Sequence, residues 1–374
     1  MIYAIGILVS FFLAALILTK KGRNQADTIL GAWMIVIGFH LFAYYGIVTG
    51  LIYEHTFLIG TNLPLPFLHG PLLYLYTFAL TKPEDLSVKV WLVNAVLPLG
   101  VFVSTVPFFL LPVERKVYVF QNEGSGYETF TLIVGIPLSV SGIAYVFLTN
   151  RILQKHQRRI RDVFSNQEKV DLDWLSFLFY GMGLIWVFII FDLGDQWIFI
   201  LATVFVVFIG YFGIRQVGIF TNKNLPITRE KIAEKEFSPL EVKEKASKTR
   251  KYAKSGLTND SASDLHARLK ALMTTENLYL EPELTLVELA THLDIHPNYL
   301  SQAINELEGM SFYDYINGLR IEEFKKRAVL PENQKYTLLA VAFDCGFNSK
   351  SAFNRCFRKS TGLSPTEFVR QAVV

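Results

Sequence analysis

Two short stretches near the end of the chain gather side chains able to read hydrogen-bonding edges. One holds Asn298, Ser301, Gln302 and Asn305, spaced as one face of a helix. The other holds Lys350, Ser351, Asn354, Arg355, Arg358 and Lys359. A carboxamide can grip adenine N6 and N7 with two hydrogen bonds, and arginine or lysine is the commonest specific partner of guanine. Arg358 and Lys359, further from the start of their stretch, suit phosphate oxygens. Such side chains fit the major groove of duplex DNA, provided that each stretch is a rigid helix presenting one face. No HExxH zinc pair, GxSxG elbow or GxxxxGK[ST] phosphate loop occurs. No catalytic residue, cofactor or metal site is expected, and no enzyme.

The flanking residues supply the elements that must hold those faces. In 284–309, Thr285 followed by Glu288 reads as a capping box. Leu286, Leu289, Ala290 and Leu293 make one apolar stripe. After a short turn, Pro297 opens a second helix with Leu300, Ala303, Ile304 and Leu307 inward. The pattern recurs in 336–362. Thr337 is the expected cap, with Leu339, Ala340 and Phe343 as the first stripe. Gly346 ends the helix in a left-handed position. Ser349 caps a second helix with Phe353, Cys356 and Phe357 inward. Ala290 and Ala340 are read as equivalent. Residues 311–330 read as one long joining helix of about 28 Å, a rod that can set two reading helices roughly one DNA turn apart.

This double helix-turn-helix resembles the DNA-binding domain of the AraC family of bacterial transcription factors over about 265–372. The resemblance is carried by Ala340, Gly346, Phe347, Ser349, Phe353, Arg355, Phe357, Gly362, Pro365, Phe368 and Arg370. It implies that the third and sixth helices of the domain enter successive major grooves, and that RNA polymerase is a partner. The family's reading positions fall on the residues named above. Members often carry Arg at 302 and Gln at 350; here they are Gln and Lys, so the operator cannot be borrowed. Charge is unevenly placed. Residues 285–310 contain no Lys or Arg but hold Glu288, Asp294, Glu306 and Glu308, whereas 350–359 hold four cations. The second module is expected to anchor and the first to select.

The other end of the chain is a different solvent problem. The chain has 374 residues, is 51% hydrophobic and only 18% charged. Apolar segments near 2–19, 29–52, 63–80, 91–111, 129–149, 174–191 and 197–214 approach or exceed the length that crosses a hydrocarbon core of about 30 Å. Asp192, Gly194 and Asp195 are read as a tight turn separating the last two. Loops after odd-numbered segments hold Lys20, Lys21, Arg23, Lys82, Lys89, Arg151, Lys155, Arg158, Arg159, Arg161 and Lys169; those after even-numbered ones hold only Arg115 and Lys116. Positive residues collect on the cytoplasmic side, so the N-terminus is expected outside and the C-terminus inside. The seven-span layout resembles the membrane-bound AraC-type regulators of Bacteroidetes.

The expected architecture is therefore all-α. Residues 1–214 form a seven-helix transmembrane sensor, 215–263 a charged cytoplasmic linker, and 264–374 the tandem helix-turn-helix. The linker is read as a solvated spacer, with a basic arm for lipid or phosphate as the sharper alternative. His40, His69 and Asn94 are polar groups at membrane depth and are named as a candidate ligand pocket for a small-molecule signal. The outer loop 112–128 reads as a plain connector. Cys345 and Cys356, the two cysteines, are expected as reduced thiols. The chain is expected in a bacterial cytoplasmic membrane, with duplex DNA and the lipid bilayer as partners and homodimerisation open. Two other readings stay open: a transporter or membrane enzyme with an accessory DNA-binding tail, and a helix-turn-helix used for protein docking.

Overall fold

The computed structural model describes residues 1–82, 85–122, 124–166, 173–215 and 259–372. Most of the charged linker, 216–258, lies outside the described residues. Among the described residues there is no β-strand, only an isolated antiparallel bridge between Phe164 and Thr285. The chain divides into two compact units, Met1–His156 with Leu172–Asn224, and Gln157–Asp171 with Leu225–Val374.

Each apolar segment of the first unit carries one helix: α1 (Ile2–Leu18), α2 (Gln25–Thr49), α4 (Pro66–Thr81), α5 (Val88–Phe109), α7 (Glu128–Val163), α8 (Asp173–Ile190) and α9 (Asp195–Arg215). Four of them, α2, α5, α7 and α9, are long and apolar enough to cross a membrane. Ile2–Leu18 and Trp174–Ile190 are apolar but shorter. Local chemistry sets the ends. Asn24 Oδ1 accepts from the Asp27 amide at 2.8 Å and Asp27 Oδ2 from the Asn24 amide at 3.1 Å, closing a capping box at the start of α2. Asp192 and Gly194 take φ of +48° and +95°, which makes the tight turn before α9.

The core of this unit runs through Ile17, Leu30, Trp33, Met34, Leu41, Leu73, Tyr76, Leu175 and Val206. The outward faces are as apolar as the inward ones. On α7, Leu132 and Ile136 are 64% exposed and Val140 is 61% exposed. Basic residues Arg151, Lys155, Arg158, Arg159 and Arg161 then occupy the last turns of the same helix. The loop 112–128 differs from the connector expected of it. Val113–Gln121 is a helix, α6, and Val119 packs with Ile52, Ile59 and Phe108 into a small separate core beside the four-residue helix α3 (Leu51–Glu54).

The second unit is α10 (Asn259–Glu276), α11 (Leu286–His292), α12 (Pro297–Leu307), α13 (Phe312–Ala328), α14 (Leu338–Asp344), α15 (Lys350–Thr361) and α16 (Pro365–Ala372). It has two cores. Leu269, Leu286, Leu289, Ala290, Leu300, Ala303 and Ile304 form one. Val341, Ala342, Cys345, Phe347, Phe353, Cys356 and Phe357 form the other. Helix α13 serves both. Phe312, Tyr315 and Ile316, at i, i+3 and i+4, enter the first, and Ile321, Phe324 and Ala328 enter the second. At 17 residues α13 is about 26 Å long.

Candidate nucleic-acid interface

Each module is built from a cap, a short helix, a left-handed corner and a second helix. Thr285 Oγ1 accepts from the Glu288 amide at 3.2 Å while Glu288 Oε2 accepts from the Thr285 amide at 2.9 Å. Thr337 Oγ1 accepts from the Ala340 amide at 3.1 Å. Fifty-two residues separate these caps, and the same offset carries Asp294 (φ +52°) onto Gly346 (φ +91°). It also carries Ile295 N→Ala290 O, 3.1 Å, onto Phe347 N→Ala342 O, 3.2 Å.

The equivalence of Ala290 is therefore with Ala342, not Ala340. Both Ala290 and Ala342 are wholly buried, whereas Ala340 is half-buried and Phe343 is 43% exposed. Val341 and Ala342 of α14, with Cys345 just past its end, are the buried positions; Leu339 packs against that core only in part, and Ala340 and Phe343 do not form its stripe. The reason is physical. Six of the seven residues of α14 are apolar, so its pattern has no phase of its own. The Thr337 cap and the glycine corner set the phase. In the first module Leu307 is a similar correction, at 44% exposed.

The candidate readers of the second module fall as the pattern requires. Lys350, Ser351, Asn354, Arg355, Arg358 and Lys359 are all exposed on α15. Ser349 Oγ caps that helix from the Ala352 amide at 3.3 Å. Neither Lys350 nor Arg358 makes a hydrogen bond or close ion pair among the described residues, though the Arg358 charge also acts on the nearby Glu367 carboxylate. Lys359 is already engaged, its Nζ 2.6 Å from Asp314 Oδ1. Arg355 Nη2 reaches the Tyr313 hydroxyl at 3.3 Å, at the edge of the second core. That hydroxyl also lies 3.2 Å from Cys356 Sγ, and burial raises its pKa to about 12. Burial likewise pushes the Cys345 thiol up to about 11, and both thiols are free and buried.

The first module departs from expectation at one reader. Asn298 is exposed and Ser301 and Asn305 are half-buried, but Gln302 is only 5% exposed. Its Nε2 donates to Glu306 Oε1 at 3.1 Å. Gln302 is thus a buried polar residue of α12 and not an open reading position. Asn305 Nδ2 donates to Ser301 O at 2.7 Å. Tyr299, which the polar pattern passed over, is 38% exposed beside Asn298 in the first turn of α12. An aromatic among polar residues in the first turn of a reading helix was the signal available for it.

Of the three polar residues singled out in the apolar half, His40, His69 and Asn94, the structure brings two together. His40 Nδ1 and His69 Nε2 are 3.0 Å apart, with the rings stacked at 5.3 Å. Asn94 is elsewhere, buried, with its amide donating to Val90 O at 2.7 Å.

A family model for a helix-turn-helix domain matches residues 289–371. This part of the chain is an AraC-type helix-turn-helix domain. The chain is 38% identical over 87 residues to the HTH-type transcriptional regulator YobQ of Bacillus subtilis, covering 23% of this chain and 35% of that protein. It is 36% identical over 88 residues to YijO of Escherichia coli, an HTH-type transcriptional regulator, covering 24% and 30%. It is 31% identical over 85 residues to the melibiose operon regulatory protein of Escherichia coli, covering 23% and 27%. The chain spans about a third of the length of these curated relatives. No solved structure matches it.

The AraC-type domain allows readers and anchors to be separated by experiment. Arg358→Ala is expected to weaken specific and random duplexes alike, and to make the slope of log K against log salt shallower by about one. Asn298→Ala is expected to cost roughly 1–3 kcal/mol at the true operator and little on random DNA. Gln302→Ala should lower the domain's stability without relaxing base preference. Titrations of the three variants on both duplexes across a salt series check this. A relaxed preference in Gln302→Ala would return that residue to the reading face.

Proposed function

We propose that the chain is a membrane-tethered, sequence-specific DNA-binding regulator of transcription that couples a signal at the cytoplasmic membrane to gene expression. The observation that carries this reading is the union in one chain of two surfaces. One is an exposed cationic reading helix in an AraC-type domain. The other is a helical unit whose outward faces are apolar over lengths suited to hydrocarbon. The basic last turns of α7 follow the positive-inside bias and favour a cytoplasmic location for the DNA-binding unit.

A further observation favours coupling. The residues just after α7, which the sequence assigns to a loop of the membrane half, belong to the same compact unit as the AraC-type domain. Ser165 N and Oγ both donate to Leu284 O, at 3.2 and 2.6 Å. Asn317 Nδ2 on α13 donates to Ser165 O at 3.0 Å.

The test is genome-wide capture of DNA by the full chain in its own membrane, with reporters fused after Phe220 and within 115–125. A shared sequence in the captured fragments, a cytoplasmic first reporter and an external second are expected. Reporters on one side of the membrane would reject the topology. Capture without sequence preference would reject the regulator.

A further inference from the structure

The first unit holds a partly open cavity of about 710 Å³ among its own helices, in the range of small-molecule sites. Tyr44, Trp186 and Phe199 line it, as do His40 and His69. Asp192 and Asp195, in the turn between α8 and α9, also belong to the lining, which includes no lysine or arginine.

The histidine pair gives the cavity a direction. The Trp33 indole N–H lies 3.2 Å from His69 Nδ1 and can only donate. His69 Nδ1 must therefore accept, which leaves the His69 proton on Nε2. That N–H faces His40 Nδ1 at 3.0 Å, so His40 Nδ1 accepts in turn. The His40 proton is left on Nε2. Among the described residues this last N–H has no acceptor, and the half-buried His40 ring is part of the cavity wall. Phe199 holds the ring edge-on at 4.9 Å and stacks on Tyr44 at 3.9 Å. Both nitrogens of His69 are used within the chain of hydrogen bonds, so the pair is not arranged to chelate a metal.

The geometry points to a binding site for an uncharged, largely apolar small molecule whose hydrogen-bond acceptor, a carbonyl or ether oxygen, takes the His40 Nε2 proton. The aromatic wall takes the apolar body. Anions are disfavoured by Asp192 and Asp195 and by the lack of lysine and arginine in the lining. A cation would be drawn to Asp192 and Asp195 but would offer no acceptor to the His40 donor. The assignment stands on the cavity alone, so its failure would leave the DNA-binding reading intact.

The test uses the full chain in lipid nanodiscs and benzophenone, a neutral aromatic ketone that cross-links neighbouring C–H bonds on irradiation. Labelled peptides are mapped by mass spectrometry. Displacement is measured with fluorenone, with fluorene (the same rings without the carbonyl), with 9-aminofluorene as the cation and with fluorene-9-carboxylate as the anion. Labelling is expected on α2 and α9. Fluorenone should displace it at about tenfold lower concentration than fluorene, the effect of one net hydrogen bond. The two charged analogues should displace it poorly. His40→Phe should abolish the preference for fluorenone, and His40→Gln, which keeps a donor, should retain part of it. Trp33→Phe leaves the His40 ring in place but frees the tautomer of His69, and should shrink the same preference. Equal displacement by fluorenone and fluorene, tighter binding of either charged analogue, or labelling away from the helices that line the cavity, α2, α4, α7, α8 and α9, would overturn the proposal.

Discussion

Arg320→Ala will unfold the hub of the AraC-type domain and abolish DNA binding, although Arg320 lies on neither reading helix. The side chain is 1% exposed. Its Nε donates to Tyr279 O at 2.6 Å and its Nη2 to Glu281 O at 2.6 Å. Nη1 donates to Asn317 Oδ1 and Nη2 to Ser165 Oγ, each at 3.2 Å. Burial pulls its pKa down to about 10, so it remains charged at neutral pH. The charge is stabilised by backbone carbonyls and by two neutral side chains. Truncation leaves the Asn317 and Ser165 acceptors buried without a donor, at about 1–3 kcal/mol each when unrelieved, and the part-buried Tyr279 and Glu281 carbonyls without theirs. A net loss on the order of 3–5 kcal/mol follows, a large share of a domain's stability. Arg320→Lys should rescue little, because an ammonium lacks the planar fork that serves several acceptors at once. Hydrogen exchange of the full chain in nanodiscs checks this. Peptides from 278–347 should lose protection while those from α1, α2 and α9 keep theirs. Protection unchanged in 278–347 would show that the hub does not hold the domain.

Gly346→Ala is the second large effect. At φ +91° the residue is in a region that side chains rarely adopt, and a Cβ there would stand 2.8 Å from both Tyr279 O and Leu280 O and 2.9 Å from Arg320 Nε. Two of the three obstacles are backbone atoms and cannot swing away. Gly362 is the matched control: its φ is +76°, but a Cβ there meets nothing within 4 Å. Gly362→Ala should cost only the backbone strain, about 1 kcal/mol. Gly346→Ala should cost at least about 2–3 kcal/mol more, because the clash displaces the Tyr279 carbonyl that Arg320 binds. Thermal unfolding followed by limited proteolysis of the C-terminal half separates the two variants. Similar losses in both would mean that left-handed strain alone, and not the close approach, makes glycine necessary at 346.

Much of the architecture follows from local signals. The seven apolar segments each carry a helix, an element whose backbone hydrogen bonds are all satisfied within the segment. The caps at Thr285, Thr337 and Ser349 form as read, since a cap is a contact between residues three apart. The candidate readers on α15 are exposed, because Phe353, Cys356 and Phe357 bind one face of that helix to the core and leave the other out.

Local pattern failed where the contacts are distant or the phase is degenerate. Nothing within α14 tells Ala342 from Ala340, and nothing within α12 distinguishes Gln302 from an open carboxamide. His40 and His69 are 29 residues apart, and only the packing of α2 against α4 orders them into a directed chain with Trp33. Ser165 and Arg320 are separated by 155 residues. A buried arginine on an amphipathic helix reads in sequence like any solvated one. Composition and short-range spacing by themselves determined the helical class, the division into an apolar and a polar half, and the double helix-turn-helix with its cationic second module. The tertiary structure alone decided the Arg320 hub, the demotion of Gln302 and the donor-lined cavity at His40, because each depends on groups far apart in the chain whose meeting no short-range rule encodes.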